Sequence, residues 1–138
     1  MLISSKGRYA IRVLVDLAEN ADGQFKPLKD ISVRQNISQK YMESIMTLLS
    51  KNDFVEAMHG KGGGYRLNRP AGEYRIGDIL RLTEGTLAPV TCLQEGAKPC
   101  ERAERCKTLP LWCGLNKVIS EYLDNISVLD ILEGKIQL

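Results

Sequence analysis

The chain has 138 residues, 43% hydrophobic and 26% charged, with a formal net charge of +2. This is ordinary globular composition, sufficient for one packed core and unlike that of a disordered chain. No run approaches the roughly eighteen apolar residues of a membrane span. The N-terminal MLISSKGRYAIRVLVDLA lacks the uninterrupted apolar stretch and small-residue cleavage site of a secretory leader, so a cytoplasmic chain without a membrane partner is expected. Charge is unevenly spread. Residues 1–70 hold 11 Lys/Arg against 7 Asp/Glu, whereas residues 71–138 hold 8 against 10. The basic half is therefore the half suited to a polyanion.

In chain order, Ala10, Val13, Leu14, Leu17 and Ala18 recur at i, i+3, i+4, i+7 and i+8, which predicts an amphipathic helix over 7–20. Asn20-Ala21-Asp22-Gly23 ends it with turn chemistry. Pro27 suits the first turn of a short second helix with Leu28 and Ile31 inward, ending near Gln35-Asn36. Ser38 then has the character of an N-cap. The third helix places Met42, Ile45, Met46 and Leu49 on one face. Gln39, Lys40, Glu43, Ser44 and Thr47 lie on the other. Two short β segments follow, Phe54–Met58 and Tyr65–Leu67, joined by His59-Gly60-Lys61-Gly62-Gly63-Gly64. Pro70-Ala71-Gly72 breaks the chain before a fourth helix marked by Ile76, Ile79, Leu80 and Thr83 and stopped at Gly85. Residues 86–109 have no clear period. Pro110 opens a long helix on which Trp112, Leu115, Ile119, Tyr122 and Ile126 are spaced 3-4-3-4, a heptad-like seam. Ser127 and Asp130 form a capping-box pattern for a short last helix.

A short helix, a tight turn and a helix with a polar outer face make a helix-turn-helix pattern. A glycine-rich hairpin directly after it has the form of a wing. The predicted fold is mainly α with a small β-wing: a winged helix-turn-helix over 1–70, then a cysteine-containing segment and a long C-terminal dimerisation helix over 71–138. A DNA major groove admits one helix, whose first residues reach base edges. Gln39 suits adenine, Lys40 guanine or phosphate, and Glu43 cytosine, with Ser38, Tyr41 and Ser44 beside them. His59 and Lys61 at the wing tip suit a minor groove or phosphate. Ser5, Lys6 and Arg8, near the start of the first helix, suit phosphate contacts. The ordinary alternatives are a solvated helix face, a hairpin that needs glycine only for its geometry, and a solvated terminus. GKGGG is not a phosphate-binding P-loop, lacking the GxxxxGK[ST] spacing. No catalytic triad or paired acid/base set is evident and the chain has a single histidine, so an enzyme is not expected.

Cys92, Cys100, Cys106 and Cys113 fall within 22 residues and the rest of the chain has no cysteine. Their spacing, C-x7-C-x5-C-x6-C, departs from the paired CxxC of structural zinc sites. Thiolates on a loop bind soft metals and iron–sulfur clusters. Free or redox-sensing thiols are the other reading, and a zinc-stabilised module that binds protein is a third.

Taken in order, SSKGRYAIRVLVDLA, ISQKYMESIMTLLSKNDFV, GKGGGYRL and the cysteine segment leading to LPLWCGLNKVISEYLDNISVLDIL resemble the winged-helix family of the iron–sulfur cluster regulator IscR. The likeness runs from residue 1 to about 132. It implies a homodimer with crossed long helices that binds double-stranded DNA at an imperfect palindrome. It also implies a 2Fe–2S cluster held by Cys92, Cys100 and Cys106 with a histidine three residues on. That position is Leu109, which cannot ligate. Cys113 is the nearest substitute, with Glu43, water or an exogenous thiol as others. Arg8 and Arg12 occupy the N-terminal stretch where other branches place a ligand. The resemblance implies a regulator of iron–sulfur biogenesis genes, or a cluster-free regulator that responds through its thiols.

Overall fold

A computed structural model describes residues 2–138. Its elements are α1 (Ser5–Glu19), α2 (Leu28–Gln35), α3 (Gln39–Lys51), β1 (Val55–Met58), β2 (Gly64–Leu67), α4 (Ile76–Glu84), α5 (Leu109–Asp124) and α6 (Val128–Leu132), with short 3₁₀ turns at Ala71–Glu73, Thr91–Leu93 and Ala103–Arg105. The architecture is mainly helical with one antiparallel hairpin, as expected. The hairpin register pairs Val55 with Leu67 and Met58 with Gly64.

Several helix boundaries have a local cause. Ser4 caps α1 by accepting a hydrogen bond from the Gly7 amide at 3.2 Å, so the helix begins at Ser5, earlier than the apolar period alone indicates. Pro27 stands at the N-cap of α2 with φ −60°, just outside the helix. Asn36 ends α2 in the left-handed conformation at φ 53°, which asparagine tolerates better than most residues. The chain can then reverse into Ser38, whose hydroxyl accepts from the Tyr41 amide and starts α3. Ser127 and Asp130 make the reciprocal capping box of α6.

Helix α1 is the centre of the molecule. Ala10, Val13 and Leu14 are fully buried, and α2, α3, α4, α6 and β2 all pack on it. One hydrophobic cluster joins its apolar face to Ile31, Met42, Met46 and Leu49 from the helix-turn-helix and to Tyr74, Ile79, Leu80 and Val128 from beyond residue 70. The C-terminal half is stitched in by backbone: the Ile76 amide donates to the Ile126 carbonyl at 2.9 Å and Val128 to Tyr74 at 3.0 Å. Burial of so many aliphatic side chains, at about 1.5–3 kcal/mol each, provides the main driving force.

The expected seam on α5 is divided. Helix α5 ends at Asp124, so Ile126 lies beyond it and packs on the core, as does Ile119. Leu115 and Tyr122 stay exposed, joined by Leu111 and Val118, while Trp112 is half-buried. The outward row is thus Leu111, Leu115, Val118 and Tyr122, spaced 4-3-4. The reason is that one side of α5 rests on α4, held by the forked Arg81–Asp124 pair at 2.7 and 3.0 Å, and that contact turns Ile119 inward.

Asp16 is the buried charge of the α1 core face, only 2% exposed. Arg34 donates to both its oxygens, and Gln35 Nε2 adds a bond of 2.8 Å, so this carboxylate ties the end of α2 to α1. A buried, hydrogen-bonded ion pair is costly to break because one charge is left without a partner. Asp16→Ala is expected to lower unfolding stability by about 3 kcal/mol in urea melts, toward the low end for such pairs because Arg34 keeps some water.

Candidate nucleic-acid interface and cysteine segment

The polar face of α3 is free. Gln39, Lys40, Glu43, Ser44 and Thr47 are exposed, while Met42, Ile45, Met46 and Leu49 on the reverse side are buried. The buried face fixes the helix, and the exposed face is left for a partner. Ser38, Lys40, Tyr41 and Ser44 line a shallow groove of about 290 Å³ at the start of the helix. Within it, the Ser44 hydroxyl donates to the Tyr41 carbonyl at 2.9 Å and Ser38 Oγ accepts the cap bond.

Tyr41 does more than face outward. It is half-buried, meets the Tyr9 ring edge-on at 5.7 Å, and shares a 3.2 Å hydrogen bond with the Ser5 hydroxyl. This fastens the first turn of α1 to the first turn of α3. Ser5 is therefore half-buried, while Lys6 and Arg8 extend into solvent. Arg12, one turn on, lies 5.1 Å from the Tyr9 ring centroid, and its Nε donates to Gln35 Oε1 at 3.1 Å. Arg12 is thus a part of the site that sequence reasoning gave no contact role, and Tyr9, whose place near the start of α1 suits its hydroxyl to phosphate, packs against Tyr41 and Arg12. The i, i+4 spacing of Arg8 and Arg12 around an aromatic was the available signal.

The wing is anchored from below. Lys26 exchanges two backbone hydrogen bonds with Tyr65, at 2.8 and 2.9 Å, which brings the α1–α2 connection against β2. Gly64 sits at φ 147°, and a Cβ there would stand 2.1 Å from the Lys26 carbonyl oxygen, so no side chain fits. This glycine is demanded by the hairpin itself. Arg66 stacks on Phe25 at 4.1 Å and donates to Glu56 at 2.8 Å. His59 and Lys61 are exposed at the tip. Burial, together with the Glu43 charge, holds the Tyr65 hydroxyl above its usual pKa.

The four cysteines are free thiols. Cys92 lies in the 3₁₀ turn Thr91–Leu93, Cys100 in irregular chain, Cys106 two residues before the cap of α5, and Cys113 on α5. Cys92, Cys100 and Cys113 are exposed, and Cys106 is partly covered. Among the described residues, no three His, Cys, Asp or Glu side chains converge as a metal site. The segment supplies the donors an iron–sulfur cluster takes, in kind and number, but not a common position for them. Leu109 is the first residue of α5 and offers no donor.

The Cys106 sulfur lies 3.4 Å from Thr108 Oγ1. That hydrogen bond, with the Thr108 and Leu109 amides and the Arg102 charge, pulls the Cys106 thiol below the usual range. The thiolate is the nucleophile, so a lowered pKa raises reactivity at neutral pH. Cys106 is expected to alkylate with iodoacetamide ahead of the other three thiols at pH 7, by peptide mass mapping. Its lead should narrow as pH rises through the ordinary thiol range near 8.5.

A helix-turn-helix with an open polar face, flanked by a glycine-tipped hairpin, defines a winged-helix regulator of the DNA-binding class. Residues 3–134 match the Rrf2 family of iron-dependent transcriptional regulators, and the chain belongs to that family. It is 35% identical over 135 residues to the HTH-type transcriptional regulator IscR of Serratia proteamaculans (strain 568), covering 98% of this chain and 81% of that protein. It is similar to the solved structure of CymR, the global cysteine regulator of B. subtilis, with TM-score 0.77, 29% identity, and 96% and 97% of the two chains covered. It also matches T. potens IscR with TM-score 0.73, 29% identity, and 99% and 89% covered. These relatives are transcription regulators rather than enzymes, in keeping with the expected class. Among the described residues, no helix is long and apolar enough to cross a membrane.

Proposed function

We propose that this regulator binds an imperfect palindrome in double-stranded DNA as a homodimer, and that the cysteine segment sets its affinity. The observation that carries the DNA reading is the exposed polar face of α3, fixed from behind by a fully buried apolar face and from the side by Tyr41 and Ser5. Gln39, Lys40 and Glu43 meet base edges. Ser38, Tyr41 and Ser44 take nearby polar contacts, and Ser5, Lys6 and Arg8 take phosphates. His59 and Lys61 of the wing flank the groove.

Gln39→Ala and Lys40→Ala are each expected to weaken operator binding about tenfold, with Lys40→Ala also flattening the salt dependence. Fluorescence anisotropy across a salt series checks both. Wild-type affinity in the two variants would move the contact surface elsewhere.

The partner on α5 is a second copy of the chain. Leu111, Leu115, Val118 and Tyr122 form a row 39–63% exposed along a 16-residue helix, and a 4-3-4 repeat is the pattern that pairs with itself. Trp112 borders it. Replacing Leu115 and Val118 together by Lys is expected to yield a folded monomer by analytical ultracentrifugation. A persistent dimer would place the interface off α5.

The cysteine segment is the sensor. Cys92, Cys100 and Cys106, with Cys113 as the fourth donor, are the residues that would hold a 2Fe–2S cluster. Bound there, the cluster supplies oxygen- and redox-sensitive chemistry. The controlled genes are those of iron–sulfur biogenesis. Anaerobic reconstitution is expected to give visible charge-transfer absorption, and colourless, folded protein would reject the cluster. The lowered Cys106 thiol and the similarity to a cysteine regulator favour a second reading, in which the thiols respond directly without iron. Under it, alkylation changes DNA affinity in iron-free protein.

A further inference from the structure

The proposed DNA face and the cysteine segment meet at one carboxylate. Glu84 is the last residue of α4. Its Oε1 accepts from both the Ser4 amide and the Ser4 hydroxyl, each at 2.8 Å. The same Ser4 hydroxyl accepts from the Gly7 amide as the cap of α1. The start of α1 is therefore tied to α4 through one serine, as Ser5 ties it to α3. The two helices are in close approach: a Cβ on Gly7 would lie 2.4 Å from Glu84 Oε1, 3.0 Å from Thr83 Oγ1 and 3.1 Å from Leu80 Cδ2.

On its other side Glu84 faces the cysteine segment. Gly85, at φ 81°, ends α4 and turns the chain toward Cys92. Leu87, 6% exposed, anchors that connection in the buried core. Glu84 also lines a polar cleft of about 450 Å³ whose other walls include Leu93, Gln94 and Glu95, next to Cys92, and Asn116 and Ser120 of α5. Glu84 thus holds Ser4 through its carboxylate and also borders a space bounded by the segment that carries the thiols. It is only half-buried, so the contact opens without exposing core.

We propose that Glu84 is the positioning residue through which the cysteine segment governs the first turn of α1. In one state Glu84 holds Ser4 and the turn that carries Ser5, Lys6 and Arg8 is fixed against Tyr41. In the other, a shifted segment draws Glu84 into the cleft and that turn loosens. A change in the segment moves this equilibrium only by the difference in its contacts with the two states. A carboxylate accepting two hydrogen bonds is stronger than a neutral acceptor, so the charge matters as well as the oxygen. The regulatory role rests on the reading of residues 92–113 as a sensor; the effect on α1 itself does not require DNA.

The test follows hydrogen exchange of the full chain at residues 2–10, before and after complete alkylation of the thiols with iodoacetamide. Alkylation is expected to change exchange in that segment by about tenfold, within the range of ordinary coupling. Glu84→Ala should abolish the change, and Glu84→Gln, which keeps an uncharged oxygen, should restore part of it. Ser4→Ala, which keeps the amide bond to Glu84 and loses the hydroxyl bond, should reduce the change in part, with circular dichroism showing folded protein in each case. A segment 2–10 indifferent to alkylation in the wild type overturns the proposal. So does a full response in Glu84→Ala. Binding to a duplex selected by the wild type from random DNA, measured on the same samples, separates the two readings. Failure of salt-sensitive binding with the exchange response intact removes the DNA reading and leaves the coupling standing.

Discussion

Helix α1 has to satisfy five neighbouring elements at once, α2, α3, β2, α4 and α6, and most of the structure follows from that. Its apolar face takes the helix-turn-helix, the base of the wing and the C-terminal helix into one cluster. A central helix this crowded has no room for error at its polar positions. Asp16 is accepted because Arg34 and Gln35 satisfy it completely, and Gly7 is present because α4 lies too close for a side chain. Both features are costs of burial offset by a specific partner. They make α1 the rigid reference against which α3 is set.

The candidate DNA face inherits its geometry from this arrangement. Its polar side chains are ordinary, and what makes them a site is the fastening behind them. Tyr41 ties α3 to Ser5 and Tyr9 of α1, and Lys26 ties the α1–α2 connection to β2. Recognition by a helix in a groove depends on such support, since side chains on a loosely held helix pay the ordering cost at binding. The cysteine segment has the opposite character. It is irregular, mostly exposed and attached to the core chiefly through Leu87, which suits a part that changes state.

Much of this was legible in the chain. The α1 period, the Ser38 cap, the glycine hairpin and the Ser127–Asp130 box all act over a few residues, where side-chain chemistry dictates backbone directly. The elements that carry the site were therefore recoverable, as was the family. The seam on α5 was not. Periodicity shows that Trp112, Leu115, Ile119 and Tyr122 share a broad stripe, but α4 covers one edge of it and leaves the other to Leu111 and Val118. Which edge is covered depends on the Arg81–Asp124 fork, a pair 43 residues apart in sequence.

By itself, the sequence determined the order and type of the elements, the polar face of α3, the glycine requirement of the wing and the clustering of the thiols. Each is written in short-range spacing. Tertiary structure alone decided the roles of Tyr9, Arg12, Asp16 and Glu84, the split of the α5 seam, and the separation of the cysteines along an open segment. Those depend on which surfaces meet across long stretches of chain. Local propensity carries no information about that, and only the shared burial around α1 resolves it.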